Sequence, residues 1–178
     1  QLGNYINASK LQIINKKLQQ TVLIDPMTQL YNRAYLEELT KLIMAQSTRT
    51  MIPYGILMID MDQFHLVNQS YGNAIGDEVI KAMARNIHEN IRQGDILVRY
   101  SGDTFAVILY DYEENDVHEV AEAIRVSFKK KIRINTYAIL KTVSIGISLF
   151  PLQTHDMIGS AGWQKRRVSS NMVIRGRF

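Results

Sequence analysis

Apolar positions fall into helical and strand-like periods that alternate along the chain. Between residues 5 and 23, Leu11, Ile14, Leu18 and Val22 recur at spacings of three and four, one apolar stripe on a helix. Asn4 and Asn7 occupy the preceding seam positions, so the stripe is too short for a convincing coiled coil. It predicts either a signalling helix joined to an upstream sensor or a helix packed on its own domain. Asp25-Pro26 breaks the pattern. A second helix is predicted from about residue 33 to 46, with Leu36, Leu39, Leu42 and Ile43 on one face, and residues 47–53 read as a loop. The run over 54–60 is continuously apolar and bounded by turn signals, as a buried central strand requires. Residues 64–71 predict a short helix and 72–76 a loop. Ile80, Met83, Ala84, Ile87 and Ile91 predict a helix over 77–92. Strands over 96–100 and 105–110 flank a Gly-Asp turn, which makes a tight hairpin. Val117, Val120, Ala121, Ile124 and Phe128 mark another helix, and residues 141–150 are β-rich up to Pro151. The order β-α-β-β-α-β predicts an α+β domain: a ferredoxin-like antiparallel sheet with its helices on one face.

Composition sharpens this outline. The chain has 178 residues, 46% of them hydrophobic, which supports one sizeable core and argues against global disorder. The absence of cysteine excludes a disulfide framework, a zinc-thiolate site and a thiol nucleophile, and fits a cytoplasmic location. No apolar run approaches the ~20 residues of a membrane-spanning helix, and without a basic region followed by an apolar core no secretory signal is expected. A first residue of Gln1 rather than Met predicts a piece of a longer chain, so any membrane attachment is expected through an upstream segment. The net charge of +4 is unevenly spread. Residues 1–156 hold 16 Lys and Arg against 17 Asp and Glu, a balance of −1, whereas Lys165, Arg166, Arg167, Arg175 and Arg177 lie in an acid-free end. That end reads as a solvated tail. Without interleaved aromatics, no nucleic-acid partner is expected.

Three carboxylates frame the candidate chemistry. Asp60 ends the apolar strand, Asp62 follows it, and Asp103 lies at the hairpin tip. In a split sheet, Asp60 and Asp103 can converge at one end, and paired hard oxygens suit Mg²⁺. Spacing alone equally allows Asp60 or Asp62 to cap the next helix.

Five ordered blocks narrow the choice. Asp25-Pro26-Met27-Thr28-Gln29-Leu30-Tyr31-Asn32-Arg33 resembles D-x-L-T-G-L-x-N-R, and Asp60-Met61-Asp62-Gln63-Phe64-His65-Leu66-Val67-Asn68 resembles D-x-D-x-F-K-x-x-N. Tyr71-Gly72 through Gly76-Asp77 is similar to y-G-H-x-x-G-D. Arg99-Tyr100-Ser101-Gly102-Asp103-Thr104-Phe105 falls where R-y-G-G-[DE]-E-F belongs, and Val143 to Ser148 resembles a closing v-T-x-S-x-G-[IV] strand. Together they resemble the GGDEF domains, the diguanylate cyclase family, over residues 25–151. The resemblance implies a nucleotidyl cyclase-like palm. It divides the chain into an N-terminal linker or signalling helix (1–24), a GGDEF domain (25–156) and an atypical basic tail (157–178).

The activity the resemblance implies is bacterial: two GTP are joined into cyclic di-GMP, with release of pyrophosphate, by two facing domains. It also implies Mg²⁺ or Mn²⁺ held by Asp60, the Met61 backbone carbonyl and Asp103. Asn68 and Asp77 would read guanine, while the backbone N–H groups of Phe64 and His65 would meet phosphate. Arg92 and Asp95 match the family's R-x-x-D inhibitory product site, five residues before the signature; the plainer reading is a helix-end arginine paired with a loop aspartate.

The chain also departs from the family pattern. Thr104 stands where the family has Glu and supplies neither charge for a metal nor basicity, so cyclase activity is expected to be low or absent. Ser101 replaces a Gly, His65 a Lys, Gln69 an Asp, Asn73 a His and Gln29 a Gly. Beyond Pro151 nothing matches the family's terminal A-K-x-x-G-R-N segment. The expectation is a degenerate regulatory domain that binds GTP or cyclic di-GMP and acts on a partner signalling protein. The alternatives are an active cyclase and a dimerising interaction module without ligand.

Overall fold

The computed structural model describes residues 23–150 and the pair 173–174. The helix expected over 5–23 and the tail expected over 157–178, apart from that pair, lie outside the described residues. In chain order the elements are β1 (Tyr31–Asn32), α1 (Arg33–Thr50), β2 (Tyr54–Met61), α2 (Phe64–Tyr71) and α3 (Asn73–Glu89). They continue with β3 (Ile96–Ser101), β4 (Thr104–Tyr110), α4 (Glu114–Ser127), β5 (Ile132–Ile134), β6 (Tyr137–Ile139), β7 (Val143–Phe150) and β8 (Val173–Ile174).

The main sheet has the order β1-β3-β4-β2-β7-β8. Its centre is antiparallel: β2 lies between β4 and β7, and β3 pairs with β4. The expected split unit is therefore β2, α2–α3, β3, β4, α4 and β7. Three features were not anticipated: the two-residue β1 lies parallel to β3, β5 and β6 form a separate ribbon, and β8, from the end read as a solvated tail, pairs antiparallel with β7.

Helices cover both faces of this sheet rather than one. On the first face, Leu57, Ile59, Phe105, Val107, Val143 and Ile145 pack against Met83, Ile87, Val117 and Ile124 of α3 and α4. On the second, Tyr54, Val98, Ala106 and Ile108 meet Leu36 and Ile43 of α1. This is why β2 is apolar at consecutive positions: its alternating side chains enter two different cores. Gly55 reflects the closeness of α4 to the sheet, because an added Cβ would lie 2.9 Å from both Val117 methyls.

Helix ends differ from expectation in three places, one being the end of α3, which stops at Glu89 rather than at residue 92. Another is α1, which continues to Thr50 and is followed by Met51 in the left-handed region at φ 58°. The hydroxyl of Thr50 donates to the Gln46 carbonyl at 3.0 Å, which satisfies the last turn locally. The third is the start of α3 at Asn73, since the chain bends only at Gly72 (φ 83°, ψ 164°), a conformation essentially reserved for glycine. Gly76 is inside the helix because Asn68 crosses it closely; a Cβ there would lie 1.8 Å from Asn68 Oδ1.

Candidate functional site at the hairpin end of the sheet

Antiparallel pairing of β2 with β4 sets Asp60 opposite Thr104. The last residues of β2 and the β3–β4 hairpin tip thereby meet at one sheet end. Thr104 donates its hydroxyl to Asp60 Oδ2 at 3.0 Å. Asp103 is half-buried beside them. Burial raises its pKa and the neighbouring Asp60 charge raises it further, while its own backbone N–H and His65 oppose the rise. Asp60, Asp103, Thr104 and His65 thus form one cluster, as the motif order suggested.

Asp62 has a different fate. Its Oδ2 accepts from the Thr142 hydroxyl at 2.5 Å and its Oδ1 from the Ser144 hydroxyl at 2.6 Å, while its N–H donates to the Thr142 carbonyl at 3.0 Å. Both oxygens are engaged in tying β2 to β7. Neither Asp60 nor Asp62 caps α2. The cap position is Gln63, left-handed at φ 55° and without a side-chain cap bond.

The donor chemistry fits one hard divalent cation. Two carboxylates close enough to perturb one another favour a cation between them, and Mg²⁺ commonly takes one or two carboxylates plus substrate phosphates. Among the described residues, no group of three or more His, Cys, Asp and Glu side chains could hold a metal. Any further ligands would therefore have to be backbone, water or nucleotide oxygens.

Beside this cluster α2 begins, and the N–H groups of Phe64 and His65 occupy its first turn, which lacks intrahelical acceptors. Lys141, which motif reading did not single out, donates to the Gln63 carbonyl at 3.1 Å and brings a positive charge to this corner. Further along, Asn68 on α2 lies against Gly76, next to Asp77 on α3. Its Oδ1 is buried without a hydrogen-bond partner, a state that costs ~1–3 kcal/mol.

A clasp holds the hairpin tip. Arg99 donates from Nε and Nη2 to the Gly102 carbonyl at 3.1 and 2.9 Å, and from Nη1 to both Asp25 oxygens at 3.2 and 3.0 Å. Only 13% of the Arg99 side chain and 18% of Asp25 are exposed, so water screens the pair weakly. Asp25 also accepts the Thr28 N–H and hydroxyl, both at 2.8 Å. Burial pushes the Asp25 pKa up, but the bonds from Thr28 and Arg99 together outweigh it and hold the carboxyl below its ordinary value. Both clasp residues belong to family-like sequence blocks, yet nothing in their local sequence marks them as partners.

Two departures from the family pattern now have a geometry. Gln29 sits at φ 59°, where glycine is favoured, so its side chain imposes strain. Ser101 is not among the left-handed residues, so a serine is tolerated there.

Arg92 and Asp95 are not part of this cluster. They precede β3, whereas Ser101 ends it, about 20 Å away at strand rise. Asp95 Oδ2 accepts the Arg92 N–H at 2.7 Å and the Tyr112 hydroxyl at 2.9 Å. The Arg92 guanidinium lies 4.2 Å from the Tyr112 ring centroid.

Comparison with known proteins shows the family to which the chain is similar. The family model described as "Diguanylate cyclase, GGDEF domain" matches residues 22–162. Diguanylate cyclase DosC of Escherichia coli is 32% identical over 141 residues, which cover 78% of this chain and 31% of DosC. The chain thus spans about a third of that relative's length. Among solved structures, the GGDEF domain of TpbB from Pseudomonas aeruginosa aligns with a TM-score of 0.70 at 31% identity, over 72% of this chain and 76% of that one. Diguanylate cyclase SiaD from the same organism, solved with its activator SiaC, aligns with a TM-score of 0.69 at 28% identity, over 89% of this chain and 59% of that one. No helix among the described residues is long and apolar enough to cross a membrane.

Proposed function

Because the chain belongs to the GGDEF family of cyclic di-GMP signalling, we propose that it is a nucleotide-binding regulatory domain whose cyclase chemistry is weak or lost. The observation that carries this reading is the Thr104–Asp60 hydrogen bond. At the position where the family's signature has a second carboxylate beside Asp103, a neutral hydroxyl is spent on Asp60. Threonine has no usable basicity near neutral pH, and loss of an acid–base group typically lowers turnover by 10²–10⁴-fold.

Binding is a separate matter from turnover. Asp60, Asp103 and the Met61 carbonyl would hold Mg²⁺ or Mn²⁺, which would neutralise a triphosphate and polarise a ribose hydroxyl. The first turn of α2, at Phe64 and His65, would receive phosphate oxygens. Lys141 adds a cation beside that turn, where the family's Lys is replaced by His65. Asn68 and Asp77 would address guanine; the orphaned Asn68 oxygen is a reason for the amide to turn toward a ligand donor. Arg92 and Asp95 would hold cyclic di-GMP, the arginine by charge and stacking, the aspartate by accepting from the guanine edge. The bound state would then pass to a partner signalling protein or a second copy of the domain.

The test is calorimetric titration with GTP and with cyclic di-GMP in Mg²⁺, followed by product analysis of the GTP cell. Saturable binding of either nucleotide without cyclic di-GMP formation is expected. No binding of either would overturn the reading. The active-cyclase alternative has one specific support, the activity in the names of DosC and SiaD. Turnover that Asp60→Ala abolishes would favour it.

A further inference from the structure

Tyr112 is absent from every motif and belongs to no part of the cluster around Asp60, yet it makes two contacts with the Arg92–Asp95 pair. Left-handed Asp111 (φ 59°), whose N–H donates to the Pro53 carbonyl at 2.8 Å, turns the chain out of β4. Tyr112 follows and enters the main core, with 2% of its surface exposed. Its ring is therefore fixed by packing, while its polar end and one face serve the pair.

The hydroxyl donates to Asp95 Oδ2, which also takes the Arg92 N–H. Both bonds go to one oxygen. The carboxylate is locked in orientation, and Oδ1 is left to accept from a ligand. The ring meanwhile receives the Arg92 guanidinium by cation–π contact, so an otherwise exposed, rotamer-rich side chain is held beside Asp95. Burial, and then the Asp95 contact, push the Tyr112 pKa up to about 12, so the donor persists across ordinary pH. A carboxylate and a guanidinium preset at one corner lose less conformational freedom on binding than two free side chains.

We propose that Tyr112 is the positioning and specificity-determining residue of the Arg92–Asp95 site, presenting Asp95 Oδ1 to the N1–H and 2-amino donors of a guanine base. This rests on the reading of that pair as a cyclic di-GMP site. A tyrosine with only a core role would affect folding. A positioning tyrosine affects which base is chosen.

The experiment titrates wild type, Tyr112→Phe, Tyr112→Leu and Arg92→Ala with cyclic di-GMP and with cyclic di-IMP, which lacks the 2-amino groups, and measures thermal unfolding of each. Wild type is expected to bind cyclic di-GMP and to prefer it over cyclic di-IMP; Arg92→Ala is expected to abolish binding. Tyr112→Phe keeps the ring and loses only the hydroxyl. It should weaken cyclic di-GMP about tenfold while changing cyclic di-IMP less, so that the preference shrinks. Tyr112→Leu should weaken both ligands further by freeing Arg92. If Arg92→Ala is sensitive but Tyr112→Phe keeps wild-type affinity and preference, the role of Tyr112 is wrong and the site reading stands. Equal loss for both ligands in Tyr112→Phe, in step with a lowered melting temperature, would reduce Tyr112 to a structural residue. Absence of cyclic di-GMP binding by wild type would sink the site reading and the proposal together.

Discussion

The hairpin tip and the end of β2 face each other, yet they are built on opposite principles. The tip is clasped: Arg99 spends its donors on Gly102 and Asp25, and the pair is mostly buried. The end of β2 is open: Asp60 is exposed and engages only a threonine hydroxyl among the described side chains. Asp62 falls on the clasped side of this division, with both oxygens occupied. A rigid frame thus surrounds two under-committed carboxylates, Asp60 and Asp103. Groups that hold the fold are saturated from within the chain, and groups available for a ligand are not.

The sharpest way to break this contrast is to cut the clasp. Arg99→Ala leaves a mostly buried Asp25 charge uncompensated and should cost about 3 kcal/mol in denaturant unfolding. The pH dependence has a defined sign. The Asp25 pKa is lowered on folding from 3.8, so its contribution is present above that value and fades as pH falls through the folded pKa. Asp25→Asn should therefore flatten the acid limb of the stability profile below about pH 4.

The next largest effect belongs to the open side. Thr104→Glu restores a carboxylate opposite Asp60 and should raise cyclic di-GMP formation at least ~10²-fold if the missing group is what limits turnover. Product analysis from GTP with Mn²⁺ checks it, and an unchanged rate would shift the blame away from position 104. A smaller gain is expected from Gln29→Gly. Relief of the left-handed strain should add about 1 kcal/mol to stability, read as a shift in the urea midpoint. Smallest of all, Thr104→Val should alter stability by under ~0.5 kcal/mol, since the bond it removes is solvent-exposed. A large loss there would mean that the open side is part of the frame after all.

Much of this frame was legible where one periodicity had one cause. Ile80, Met83, Ala84 and Ile87 face a single core and are buried as their spacing predicted, whereas Ile91 of the same stripe lies beyond α3 and is only partly buried. The apolar run of β2 was equally legible because both of its faces are covered. The start of α3 was not. Two glycines four residues apart read as a loop, whereas Gly72 alone bends the chain and Gly76 only makes room for Asn68. The β5–β6 ribbon escaped because three-residue strands joined through left-handed Asn135 show too little alternation. At the site, the convergence of Asp60 with Asp103 followed from strand order. The clasp did not, because its partners are 74 residues apart and meet only once the sheet has formed. Lys141 and Tyr112 were invisible for the same reason: each acts through a contact that no local pattern encodes.

The bend at Gly72 has a consequence for exchange with solvent. The Gly72 N–H donates to the Asn68 carbonyl at 2.9 Å, and the Gly72 carbonyl accepts the Gly76 N–H at 3.1 Å. Gly72 therefore closes the last turn of α2 with its N–H and opens α3 with its carbonyl, at the point where the chain leaves helical angles. A deuterium label should find the Gly72 and Gly76 amides protected, with the first-turn N–H groups of α3 between them exchanging faster.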